Sequence, residues 1–156
     1  MILEGKIAIA VPAGKAWDFL MDIDSFASCV PGLEKVTQID DRTFDGVVSA
    51  TVGPISGKFT FRSTILDSTP PAEMVVQTDG TDSVTRSAVA AKLTVKLSEP
   101  AEKRTEMDYR ADIAIKGRLA ILGDMVLRAT GALVLEEFAR RLREKLETDS
   151  GTASQD

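Results

Sequence analysis

The chain opens on an alternation of period two. Gly5, Ile7, Ile9 and Val11 interleave with Glu4, Lys6, Ala8 and Ala10, the pattern of a strand with one covered face. Pro12 suits the first turn of a helix, and AGKAWDFL supplies a short one carrying Trp17, Phe19 and Leu20. Asp22 or Asp24 is placed to cap a second short helix through Ser25, Phe26 and Cys29, which Pro31-Gly32 ends. From there to Gly117 the period is two again. A short strand spans Val36 to Ile39, and Asp40-Asp41 turns the chain. Phe44, Gly46, Val48, Ala50 and Val52 share the next face as far as the Gly53-Pro54 turn. Phe59, Phe61, Ser63 and Ile65 follow, then Pro70-Pro71. Met74, Val76 and Thr78 lead to Gly80. Val89, Ala91, Leu93, Val95 and Leu97 come next, and Met107, Tyr109, Ala111, Ile113 and Ile115 close the series. Alternation of this kind predicts an antiparallel sheet with one wet and one covered face, joined as a meander.

The segment from Lys116 to Leu146 reads as one long helix of two characters. Its second half is amphipathic: Leu135, Phe138, Leu142 and Leu146 form a stripe, and Glu136–Arg140 and Glu137–Arg141 are spaced to pair. The first half is apolar nearly all round, leaving Arg118, Asp124 and Arg128 for water among Leu119, Ala120, Ile121, Leu122, Met125, Val126, Leu127 and Ala129. Such a helix needs cover on most sides, from sheet, another protomer, a membrane surface or a bound apolar molecule. The order of elements predicts an α+β fold, a curved sheet of about seven strands wrapped around the C-terminal helix. Residues 1–147 then form a single domain, and the polar residues 148–156 a disordered tail.

Composition narrows the function. With 156 residues, 44% of them hydrophobic and 28% charged, the chain has the balance of a globular protein. A net charge of −5 argues against nucleic acid, whose phosphates require a basic face. The one cysteine, Cys29, fits a reducing compartment, and the opening residues lack a signal-peptide profile, so a cytoplasmic location is expected. There is no histidine; that removes the commonest general base and most zinc or copper sites, so no metal is expected.

The inward faces mix large and small residues: Phe44, Phe59, Phe61, Met107 and Tyr109 beside Gly5, Gly46, Ala50, Ser63, Ala91 and Ala111. The helix adds Gly123, Ala129 and Gly131, although glycine within a helix costs about 1 kcal/mol relative to alanine. Two readings follow: close helix–sheet packing, or a cavity that a ligand fills. Interiors are otherwise close-packed, so an apolar void is costly.

Five strings in order, Trp17-Asp18-Phe19-Leu20 with Asp22, Cys29-Val30-Pro31-Gly32, Val52-Gly53-Pro54-Ile55, Thr105-Glu106-Met107-Asp108-Tyr109 and Gly117-Arg118-Leu119-Ala120-Ile121-Leu122-Gly123, are similar to those of the CoxG family of carbon monoxide dehydrogenase proteins. The whole order of elements resembles the helix-grip fold of the START and Bet v 1-like (SRPBCC) superfamily. The resemblance implies an accessory protein rather than a redox component. It would serve a carbon monoxide dehydrogenase-type molybdenum enzyme, aiding its assembly or coupling it to the membrane, with peripheral contact at the inner face of that membrane.

Three functions are compatible with these residues. The first is a non-catalytic carrier of an apolar small molecule, an isoprenoid quinone or other lipid, with menaquinone or ubiquinone as cargo and no cofactor. Its expected ligand-binding residues are Phe44, Val48, Phe59, Phe61, Met74, Leu93, Val95, Met107, Tyr109, Ile113, Leu119, Leu122, Gly123 and Val126. Tyr109, Thr105, Ser63 and Thr78 are the polar groups available to its head. The second is a cyclase-type enzyme, disfavoured because the carboxylates fall mostly on outward positions and Cys29 has no histidine partner. The third is a ligand-free module that docks onto the dehydrogenase through Arg118, Asp124 or the Pro31-Gly32 and Gly53-Pro54 loops.

Overall fold

The computed structural model describes the backbone of residues 1–155 and the side chains of residues 1–148. Strand β1 (Ile2–Ile9) is followed by α1 (Ala13–Met21) and α2 (Ile23–Ala27). The meander then runs β2 (Leu33–Gln38), β3 (Thr43–Val52), β4 (Ile55–Thr69), β5 (Glu73–Asp82), β6 (Ser87–Ala101) and β7 (Arg104–Lys116). A 3-10 turn (Arg118–Leu122) leads into α3 (Asp124–Gln155). The polar tail read from the sequence falls, beyond Thr148, on residues whose side chains lie outside the described ones.

All seven strands form one antiparallel sheet in the order β1-β7-β6-β5-β4-β3-β2, so β1 pairs with the last strand of the meander. The register places the predicted inward positions opposite one another across the sheet. Ile7 pairs with Met107, Gly5 with Tyr109, Leu93 with Ala111 and with Val76, Ser63 with Thr78 and with Phe44, and Phe61 with Gly46. Because side chains alternate between faces, these residues share the covered face.

Local chemistry sets the helix ends. The Asp22 carboxylate accepts the Ser25 N–H at 3.1 Å and caps α2. Glu99 reaches across from β6 to accept the Ala13 N–H at 2.6 Å, placing a negative charge at the start of α1.

The second half of α3 is fixed firmly. Leu142 and Leu146 are fully buried in a core with Ile9, Val11, Trp17 and Met107. Arg143 Nε donates to the Ala8 carbonyl at 2.9 Å, and Glu147 accepts the Ala10 N–H at 3.0 Å. Glu137–Arg141 pairs as expected at 2.9 Å, but Arg140 turns to Glu137 and Glu144 rather than Glu136. With two guanidiniums on it, the Glu137 carboxyl is held down at about 2.

The first half departs from the sequence reading twice. It is not one helix: Lys116 ends β7, and Gly117 (φ 85°) and Gly123 (φ 88°) bracket the 3-10 turn. Both glycines sit in the left-handed region that side chains disfavour. At Gly117 a side chain would also collide with the Arg86 carbonyl. Nor is this half covered all round. Ile121 is 82% exposed, Met125 84% and Leu133 66%, and Ala129 is exposed with them. The sheet covers one side of this segment, and the other side faces water.

One buried carboxylate fastens the 3-10 turn to the sheet. Asp82 accepts the Val84 N–H at 2.9 Å and the Thr85 hydroxyl at 3.0 Å, and Thr85 Oγ1 lies 3.0 Å from Ser87 Oγ. Ser87 in turn accepts the Leu119 N–H at 3.0 Å. The Val84 and Thr85 contacts hold the Asp82 carboxyl below the usual carboxylate range despite its burial. A depressed pKa gives stability that is present above the unfolded value and lost as pH falls through the folded one. The thermal midpoint of the native chain is therefore expected to drop more steeply than that of Asp82→Asn between about pH 5 and about pH 3. Parallel curves would show that this carboxylate is not linked to folding.

Candidate functional site

The covered face carries two separate cores. The larger joins α1, the second half of α3 and the β1, β6 and β7 ends through Ile7, Ile9, Trp17, Val95, Leu97, Met107 and Leu142, with Ile65 and Met74. The smaller, at the opposite end of the sheet, joins Val52, Phe59 and Leu119, with Val48, Val89, Ile115, Leu122 and Leu127 packed against them. Between them lies a band that belongs to neither: Phe61, Ser63, Thr78, Ala91, Ala111 and Ile113, all half-buried. Apolar side chains on the inner face of a sheet are ordinarily buried outright. Here the sheet and the middle of α3 stay apart.

Small residues and glycines keep this band open. A Cβ at Gly46 would come within 2.5 Å of Phe61 Cζ, and one at Gly5 within 2.5 Å of the Tyr109 hydroxyl. Each ring therefore lies down across a glycine of the neighbouring strand instead of standing up into the space beneath the helix. The sequence shows these small residues; the register explains them.

The polar groups divide. Thr105 is fully buried and donates to the Val11 carbonyl at 2.7 Å, which makes it a structural link between β7 and the start of α1. Ser63 and Thr78 hydroxyls meet at 2.7 Å in the middle of the band, flanked in the register by Phe44 and Ala91. Tyr109 helps line a cavity of about 290 Å³ between β1 and α3, with Leu3, Ile7, Ala132, Leu135 and Ala139, and with exposed Glu4, Lys6 and Glu136 beside it. A second cavity, of about 420 Å³, lies at the β3–β4 hairpin end among Ser49, Thr51, Ser56, Lys58 and Asp82. It is the larger of the two, but it is polar and stands away from the half-buried band.

The structure distributes the expected ligand-binding residues unevenly. Phe44, Leu93 and Tyr109 are half-buried beside the larger core, and Phe61 and Ile113 lie in the band. Met74, Val95 and Met107 are buried within the larger core, and Phe59 and Leu119 within the smaller, with Val48 and Leu122 packed on it. Two belong elsewhere. Gly123 has nothing within 4 Å of where a side chain would start, so it serves the turn and not a tunnel. Val126 is exposed, 3.8 Å from the Gly53 position on the β3–β4 turn. Of the three small helix residues, only Gly131 makes a close approach, to Leu3 of β1. Ser63, Thr78, Ala91 and Ala111 complete the band; their sign in the sequence is a small or hydroxylated residue at an inward position.

Cys29 is a buried free thiol whose pKa burial pushes up, with Ser28, Lys145 and Arg141 opposing. Among the described residues, no group of three or more histidine, cysteine or acidic side chains is placed to hold a metal ion, and no helix is long and apolar enough to cross a membrane.

The carbon monoxide dehydrogenase CoxG family matches residues 5–147. The chain belongs to that family. Among solved structures, this CoxG-family chain is similar to a conserved protein from Geobacillus kaustophilus (TM-score 0.89, 18% identity, 95% of this chain and 96% of that one). It is also similar to a START superfamily protein from Mycobacterium smegmatis (TM-score 0.71, 11% identity, 94% and 97%). A third is the ZhuI aromatase/cyclase from a Streptomyces species (TM-score 0.69, 17% identity, 94% and 93%). At these identities the likeness establishes the fold, a START-like helix grip. No curated protein matches the sequence. CoxG membership and the fold fit a binding or accessory role.

Proposed function

We propose that this protein is a non-catalytic carrier that holds an apolar small molecule with a polar head, most simply an isoprenoid quinone, between its sheet and α3. It would act in the cytoplasm as an accessory to a carbon monoxide dehydrogenase-type molybdenum enzyme, linking that enzyme to the membrane. The observation that carries this reading is the split core, with a half-buried apolar band around the Ser63–Thr78 hydroxyl pair. An isoprenoid tail lying along Phe61, Ala91 and Ile113 would gain roughly 25 cal/mol per Å² of apolar surface removed from water. A quinone carbonyl has acceptors only, and the two hydroxyls between them hold one proton beyond the bond they share.

A carrier is favoured over a cyclase by where the titratable groups lie. Glu106, Asp108, Arg110 and Asp112 alternate outward on β7, and the Cys29 thiol is buried with a raised pKa. Organic extraction and native mass spectrometry of the purified protein, followed by titration with menaquinone and ubiquinone, test the proposal. Co-purified or acquired quinone supports it. A protein that neither carries nor takes up a lipid or quinone overturns it, and a pull-down of the dehydrogenase by lipid-stripped protein would then favour a ligand-free docking role. Thr78→Val keeps the shape and removes a hydroxyl, so it is expected to weaken quinone uptake about fivefold, the worth of one neutral hydrogen bond. Unchanged affinity would move the head elsewhere in the band.

A further inference from the structure

The end of the molecule that holds the 3-10 turn combines three almost fully exposed apolar side chains with a local charge opposite to that of the chain. Val84 on the β5–β6 turn is 85% exposed, beside Ile121 and Met125 at 82% and 84%. These segments are held together. Leu119 N–H donates to Ser87 across the turn, and Leu119 packs in one core with Val52 and Phe59 next to the Gly53-Pro54 turn. Scattered surface apolar residues are ordinary, but a cluster at one pole marks an interaction site.

The charges around it choose the partner. Residues 82–87 and 116–128 carry Arg86, Lys116, Arg118 and Arg128 against two carboxylates, in a chain whose net charge is −5. Of the two, Asp82 is buried in its hydrogen bonds and Asp124 is neutralised by Arg128 at 2.7 Å. Lys58, at the same end, is taken up by Glu34 at 3.1 Å. Arg86, Lys116 and Arg118 therefore stand exposed around an apolar tip. A second copy of the chain is a poor occupant, because a two-fold contact would set this basic pole against itself.

We infer that this pole seats on the surface of an anionic lipid bilayer, with Val84, Ile121 and Met125 entering the boundary between headgroups and acyl chains and Arg86, Lys116 and Arg118 meeting lipid phosphates. The rest of the chain, being acidic, is repelled, which fixes the orientation. Interfacial seating of this kind combines buried apolar area with attraction to anionic lipid. The inference gives a face to the membrane contact in the carrier reading, and its test uses vesicles free of quinone, so that either idea fails without the other.

The test is flotation of the full chain with phosphatidylcholine vesicles made with and without phosphatidylglycerol, at low and high salt. Binding is expected only with phosphatidylglycerol and is expected to weaken with salt. Each cation at an anionic surface strengthens binding about fivefold, so Arg86→Glu with Arg118→Glu is expected to lower it more than tenfold. Ile121→Asp with Met125→Asp is expected to abolish it, and Val84→Asp to reduce it, all with an unchanged thermal midpoint because the sites are exposed. No binding to phosphatidylglycerol vesicles overturns the inference. So does binding that survives these substitutions, and so does a dimer in solution that the same substitutions dissolve.

Discussion

Leu142→Ala is expected to lower the free energy of unfolding by about 3 kcal/mol, read from urea denaturation, while leaving quinone affinity within about twofold. The side chain is fully buried in the larger core, where α3 closes on β1 and α1. Truncation there removes apolar contact and leaves a cavity that its neighbours fill only in part. Uptake is expected to persist because the half-buried band is contributed by other residues. A loss of affinity to match the loss of stability would mean that one packed unit serves both.

Ala91→Trp is expected to do the reverse. Ala91 lies in the band between Thr78 and Ile113 in the register. An indole at that position would occupy the space between sheet and helix. If that space is open, unfolding free energy changes by less than about 1 kcal/mol, whereas overpacking a filled core costs about 1–3 kcal/mol. Uptake of menaquinone or ubiquinone is then expected to fall more than tenfold in a fluorescence titration. A strongly destabilised Ala91→Trp protein would show the band to be packed and would remove the basis for a carrier. Together the two substitutions separate the residues that hold the fold from those that hold a cargo.

Much of the architecture is legible in the sequence because period-two alternation carries its own face assignment. The inward positions from Gly5 to Ile115 are those that pair across the sheet, and the register adds only which of them meet. The helix resists the same treatment. Its apolar first half demands cover by the logic of amphipathicity, but Ile121, Met125 and Leu133 stand in water. Periodicity reports what a residue would prefer to touch, not whether the fold supplies it. Gly123 misleads for a related reason. Glycine answers to crowding and to a positive φ alike, and composition does not distinguish them; here it is the φ of 88° beside open space. The split of the core into two is illegible, because it depends on how far the sheet curves away from the helix between residues that look alike in sequence.

The unequal fastening of α3 makes the long helix a cantilever. Arg143, Glu147, Leu142 and Leu146 clamp its far end to β1 and the core. Its near end is held by Leu127 in the smaller core, by the Arg128 guanidinium on the Ile2 carbonyl at 2.9 Å and by the 3-10 turn. Local opening free energy scales with the contacts that must be broken. The near end can therefore lift while the clamped end keeps the sheet and α1 together, so admission of a molecule beneath the helix is a bending event at Gly117 and Gly123 and leaves the rest of the fold intact.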